Sequence, residues 1–89
     1  MKKVYTVIVY TDLMDMELSA GDFYLKSFYD KEKARQCFKE TVQKTKEMID
    51  EAYSLETFER FERENRFSAY QNYTDNHVIV ELIEVKVQH

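Results

Sequence analysis

From His77 to Val87 the chain sets apolar residues on both faces of one strand: Val78, Val80 and Leu82 on one side, Ile79, Ile83, Val85 and Val87 on the other. A strand with one solvated face alternates apolar with polar residues, and this one largely does not. The opening run from Val4 to Tyr10 reads the same way. It divides into Val4, Thr6, Ile8 and Tyr10 on one side and Tyr5, Val7 and Val9 on the other. Two such strands in a chain of 89 residues describe a sheet that needs cover on both sides, made from little material. This points to assembly and not to a chemistry.

The first strand is expected from about Lys3 to Thr11. Beyond it, Leu13, Met14, Met16 and Leu18 alternate loosely with Asp12, Asp15, Glu17 and Asp22 around the only glycine, Gly21. A loop or an extended hairpin arm fits this stretch, with Gly21 supplying the turn geometry that other residues resist. Phe23 to Tyr29 reads as a second strand. Asp30 then has the chemistry of a helix N-cap, with Glu32 well placed in the first turn. Ala34, Cys37, Phe38, Thr41, Val42, Thr45, Met48, Ile49, Ala52 and Tyr53 follow three and four apart, the spacing of an amphipathic helix.

At about 100° per residue, Phe58 and Phe61 fall near 200° and 140° from Phe38, off the stripe that ends at Tyr53. The spacing therefore predicts a break near Ser54 and a second, short helix from about Leu55 to Asn65. Glu56 with Arg60, Glu59 with Arg63 and Glu62 with Arg66 would support it at i,i+4, contributing on the order of 1 kcal/mol together. Leu55, Phe58 and Phe61 would have to be buried for it to persist. Phe67 to Asn72 reads as a short edge strand, and Tyr73 to Asn76 as the turn into the last strand. The expected fold is α+β in a single domain, 1–89. It is a small antiparallel sheet of about four strands with one long and one short helix on one face, in the order ββααββ.

Composition narrows the class of function. A 44% hydrophobic and 15% aromatic content is too high for disorder, so the chain should fold without metals or disulfides. The one cysteine, Cys37, cannot form an internal disulfide, which fits a reducing cytoplasm. No apolar run approaches the roughly 20 residues needed to cross a bilayer, so a soluble cytoplasmic protein with no membrane contact is expected. The net charge of −4 disfavours general binding to a polyanion, and no direct nucleic-acid binding is expected. Charge is uneven: residues 1–46 hold nine basic and seven acidic groups, residues 47–89 four and ten.

The candidate chemical groups have simpler readings. Cys37 lies within the apolar helix stripe with no nearby histidine in sequence, as a small core residue would. His77 follows a turn and has only His89 as a possible fellow ligand, which makes no metal spacing. The carboxylates from Asp12 to Asp22 lack the spacing and central glycine of a calcium loop. With one glycine there is no phosphate cradle. No catalytic, metal or cofactor residue is assigned, and no cofactor is expected.

What remains are contact surfaces. Leu13, Met14, Met16 and Leu18 form one candidate, where flexible thioethers beside carboxylates suit an adaptable partner. Glu56, Glu59 and Glu62 of the acidic segment form another. A four-stranded sheet is about 19 Å wide and a helix about 10 Å, so the helices can cover only one sheet face. A homodimer packed through the other face is expected.

The run from Phe67 to Val87, with Tyr70, Tyr73, Asn76, His77 and then Val78, Ile79, Val80, Glu81, resembles the C-terminal hairpin of short uncharacterised proteins of bacterial plasmids, phages and integrated elements. The strand, aromatic strand and helix opening Asp30, Lys31, Glu32, Lys33, Ala34 are also similar to theirs. The resemblance implies no activity and carries over no functional residue. The reading is a non-enzymatic accessory or regulatory domain acting through protein contacts. The alternative is a mobile-element inhibitor presenting acidic charge to a nucleic-acid-binding protein, and an enzyme with an unrecognised site stands third.

Overall fold

A computed structural model describes residues 2–13 and 22–87. Five strands form one antiparallel sheet: β1 (Lys2–Asp12), β2 (Asp22–Phe28), β3 (Glu59–Arg63), β4 (Arg66–Tyr70) and β5 (His77–Val87), in the spatial order β2-β1-β5-β4-β3. Among the described residues there is one α-helix, α1 (Lys31–Tyr53), which crosses from β2 towards β3 over one sheet face. The two doubly apolar strands, β1 and β5, pair with each other along their whole length at the centre of the sheet. That is where a strand without a solvated face belongs.

The expected two-helix, four-stranded ββααββ arrangement is incorrect. A short 3-10 turn at Leu55–Thr57 and the strand β3 replace the second helix. An isolated turn of helix with three apolar anchors is marginal, whereas the same residues paired with β4 gain a ladder of backbone hydrogen bonds. In the extended form Glu59, Phe61 and Arg63 lie on one face and Arg60 and Glu62 on the other. Of the two phenylalanines expected to anchor a helix, Phe58 is buried and edge-on to Tyr53, while Phe61 is exposed. β4 is not an edge strand either. β3 shields it, so that Phe67 and Ala69 are buried between β3 and β5.

The helix forms as its spacing indicates. Asp30 caps it, its Oδ1 accepting from the amides of Glu32 at 2.9 Å and Lys33 at 3.5 Å. Ala34, Phe38, Thr45 and Ile49 are buried, and Cys37, Val42, Met48 and Tyr53 pack against the core at its margin. Against them stand Val7, Val78, Val80, Leu82, Phe67 and Ala69 from the sheet. Lys46 forms an ion pair with Glu62 and Arg35 one with Glu64 at 3.1 Å, joining α1 to the β3–β4 hairpin. On the same side Lys3 meets Glu84 at 3.1 Å; the hydrogen bond and charge of Glu84 hold the Lys3 ammonium above its ordinary range.

Helix α1 ends at Ser54, the only described non-glycine residue with positive φ (72°). Its amide still donates to the Asp50 carbonyl at 3.3 Å, while the Asp50 side chain accepts from the amide of Leu55 at 2.9 Å. A side chain at such a φ costs about 1–3 kcal/mol. Ser54→Gly removes that strain against a backbone-entropy loss of about 0.5–1 kcal/mol. The variant is expected to be more stable by about 1 kcal/mol, read as a thermal midpoint raised by several degrees.

The β4–β5 turn is organised by Gln71. Its Oε1 accepts from the Thr74 hydroxyl at 2.9 Å and from Asn76 Nδ2 at 2.8 Å, and its Nε2 donates to Thr57 Oγ1 at 2.8 Å. Asn76 is buried, and its amide donates to Thr74 Oγ1 at 3.1 Å. Asn76→Ala leaves the half-buried Gln71 acceptor one donor short and is expected to cost about 1–3 kcal/mol in urea unfolding.

Candidate interaction surface

The register decides which residues share the face away from α1. Paired residues in a ladder project to the same side, and alternate residues along a strand to opposite sides. Val7 faces Leu82 and Val9 faces Val80 on the helix side, so Val4, Thr6, Ile8 and Tyr10 of β1 and Ile79, Glu81, Ile83 and Val85 of β5 lie on the other. Leu25 and Ser27 of β2 extend this face at one end, and Ser68, Tyr70 and Phe61 at the other.

Among the described residues no element packs over this face. Val4, Ile8, Tyr10, Ile79 and Ile83 are half-buried by their own sheet neighbours. Val85, Leu25 and Phe61 are exposed at 43%, 54% and 55%, values that isolate an apolar layer open to solvent. The layer is ordered by local contacts. Thr6 and Ser27 share a hydrogen bond at 2.9 Å, Tyr10 meets His77 edge-on at 6.2 Å, and Phe61 and Tyr70 stack with centroids 6.0 Å apart.

The residues singled out from sequence are not brought together. Leu13 is fully buried and belongs to the core. Met14, Met16 and Leu18 lie outside the described residues. Glu56 is exposed on the 3-10 turn, Glu59 lies on the open face, and Glu62 lies on the helix side. Strand pleating thus divides the acidic segment between two faces, and Lys46 and Arg35 neutralise Glu62 and Glu64. Cys37 is half-buried, and the hydroxyl of Thr41 donates to its carbonyl at 2.6 Å. His77 packs on Tyr10, and the concavity at the neighbouring turn is lined by Asn72, Tyr73, Thr74 and Asp75.

No family model, curated protein or solved structure matches this chain. The surface therefore has to be read from its own chemistry. Among the described residues, no group of three or more potential metal ligands gathers, and no helix is long and apolar enough to cross a membrane.

The open face itself was legible in the two apolar sets of β1 and β5. The contribution of Phe61 was not, because its neighbours Glu59, Arg60, Glu62 and Arg63 carry no period-2 apolar signal. Only the ladder with β4 shows that Phe61 and Tyr70 lie on one side.

Proposed function

We propose that this chain is a non-enzymatic accessory or regulatory domain that acts through protein–protein contacts, with the open sheet face as its contact surface and a second copy of the chain as its occupant. The observation that supports this reading is the apolar face left uncovered by α1. Five strands span roughly 24 Å, about twice the diameter of one helix. About seven residues of strand length add roughly 23 Å in the other direction, an in-plane footprint of roughly 550 Å². That is within a factor of two of the about 800 Å² that each partner of a stable interface buries.

Self-association through one face is isologous, so each apolar residue contributes twice. Such a contact is face to face, so the outer hydrogen-bonding edges of β2 and β3 take no part in it. β3 guards its edge with four charged residues out of five, an arrangement that opposes end-to-end growth of the sheet. The lone cysteine agrees with a reducing, cytoplasmic setting.

Light scattering at micromolar concentration tests the reading. The expected mass is twice that of one chain. A mass of one chain throughout that range would overturn self-association through this face.

A further inference from the structure

At the β3–β4 end of the open face the side chains form a cup. Phe61, Arg63, Arg66 and Ser68 line a concavity of about 360 Å³. The register accounts for its shape. Phe61 stands opposite Ser68, and Arg63 opposite Arg66, the last pair before the two-residue turn Glu64–Asn65. Ser68 is the small residue that leaves a hollow between larger ones. The Phe61 ring forms one wall and is backed by Tyr70, whose ring lies nearly parallel at 10°. Arg63 and Arg66 line the end of the cup towards the turn.

Two observations make this more than a surface dimple. Like charges directly opposite in a ladder are destabilising. Yet Arg63 and Arg66 are so placed, and among the described residues neither lies in a salt bridge, unlike Arg35, Lys46 and Lys3. In addition, Phe61 keeps an exposed aromatic surface beside them instead of entering the core. Paired cations, a small hydroxyl floor and an aromatic wall suit a flat molecule bearing an anion. Arg presents parallel donors that match a carboxylate in bidentate fashion.

The surroundings select the charge of that anion. Glu81 stands opposite Arg66 in the ladder, and Glu59 opposite Tyr70, both on the same face. Glu59 lies four residues from Arg63 along β3, beyond the cup, so two guanidiniums face the one carboxylate of Glu81 and keep an excess of one positive charge, which matches a monoanion better than a dianion. We infer that the cup formed by Phe61, Ser68, Arg63 and Arg66 binds a small aromatic carboxylate, its ring against Phe61 and its carboxylate between the two arginines. The cup lies at the β3–β4 end of the face proposed to hold a second copy, so the acid competes with any copy that reaches Phe61, and light scattering with and without benzoate reads self-association separately from the titration.

The test is an NMR titration of the full chain with benzoate, acetate and inorganic phosphate in turn. Benzoate is expected to shift the Phe61 ring, the Ser68 amide and the arginine Nε–H signals with a saturating curve. Acetate and phosphate are expected to bind more weakly. Loss of one charge-assisted hydrogen bond in Arg63→Gln or Arg66→Gln should weaken benzoate roughly tenfold. Both positions are exposed, and the remainder of the amide spectrum reports whether each variant keeps its fold. Absence of saturable benzoate shifts, equal binding of acetate or phosphate, or unchanged affinity in both arginine variants would each overturn the assignment.

Discussion

Phe67→Ala is expected to remove about 3–5 kcal/mol of stability, the largest loss of any single truncation among the described residues. Phe67 is 1% exposed and is the largest fully buried side chain among the described residues. It stands opposite Val80 in one ladder and Glu62 in the other, with Lys46 Nζ 5.5 Å from its ring centre. Being held by strands on both sides, the backbone there cannot collapse into the void, so the lost transfer energy and the cavity both count. A domain of this size has about 5–15 kcal/mol to lose, so the variant should be largely unfolded in mild urea. Phe67→Leu leaves a smaller void and should lose distinctly less. Phe61→Ala, at an exposed ring, should change stability by less than about 1 kcal/mol. A Phe67→Ala loss as small as that would mean that β4 is not built into the core.

That contrast shows which parts of the fold could be read in the residues. Periodicity is visible where burial imposes it. β1 and β5 are buried at the centre, and α1 lays one stripe on them, so Val4–Tyr10, Val78–Val87 and Ala34–Tyr53 carry their structure openly. The end of α1 at Ser54 was also legible, because Phe58 falls off the stripe. β3 carries no such mark: all five of its side chains are exposed. Its charges at i,i+4 imitate a helix that three short-range pairs are too weak to hold. With β3 read as helix, β4 falls at an edge, although its alternating Phe67 and Ala69 suit an internal strand.

The same blindness governs the surface. The uncovered face could be anticipated from Ile79, Ile83 and Val85, since those residues are doubled against Val78, Val80 and Leu82 on one strand. The arginine cup depends on Arg63 facing Arg66 across a two-residue turn, a neighbourhood that exists only when both segments are extended. In a helix the same residues pair each arginine with a glutamate, and the unneutralised charge disappears from view. Leu13 shows the opposite error: beside Met14 it reads as part of a contact arm, but at the end of β1 it closes the core.

Ile83→Lys is expected to abolish the proposed self-association through the open face. Ile83 lies on the open face opposite Thr6, half-buried by its neighbours and outside the helix-side core. In the single chain the lysine ammonium remains in water, beside Glu81 two residues away on the same face, so the far-ultraviolet spectrum should be unchanged. In a two-fold contact the substitution introduces two charges at once, because each copy supplies the same patch. An incompletely paired buried ion carries a penalty of several kcal/mol. A net loss of about 3–5 kcal/mol would raise Kd by two to three orders of magnitude. Light scattering at micromolar concentration should then return the mass of one chain for Ile83→Lys and of two for the native sequence. Gln43→Lys, on the exposed side of α1, should remain a dimer. If Ile83→Lys also remained a dimer, with Kd unchanged, the two copies would have to meet elsewhere, because a contact across this sheet cannot accept two additional ammonium groups without cost.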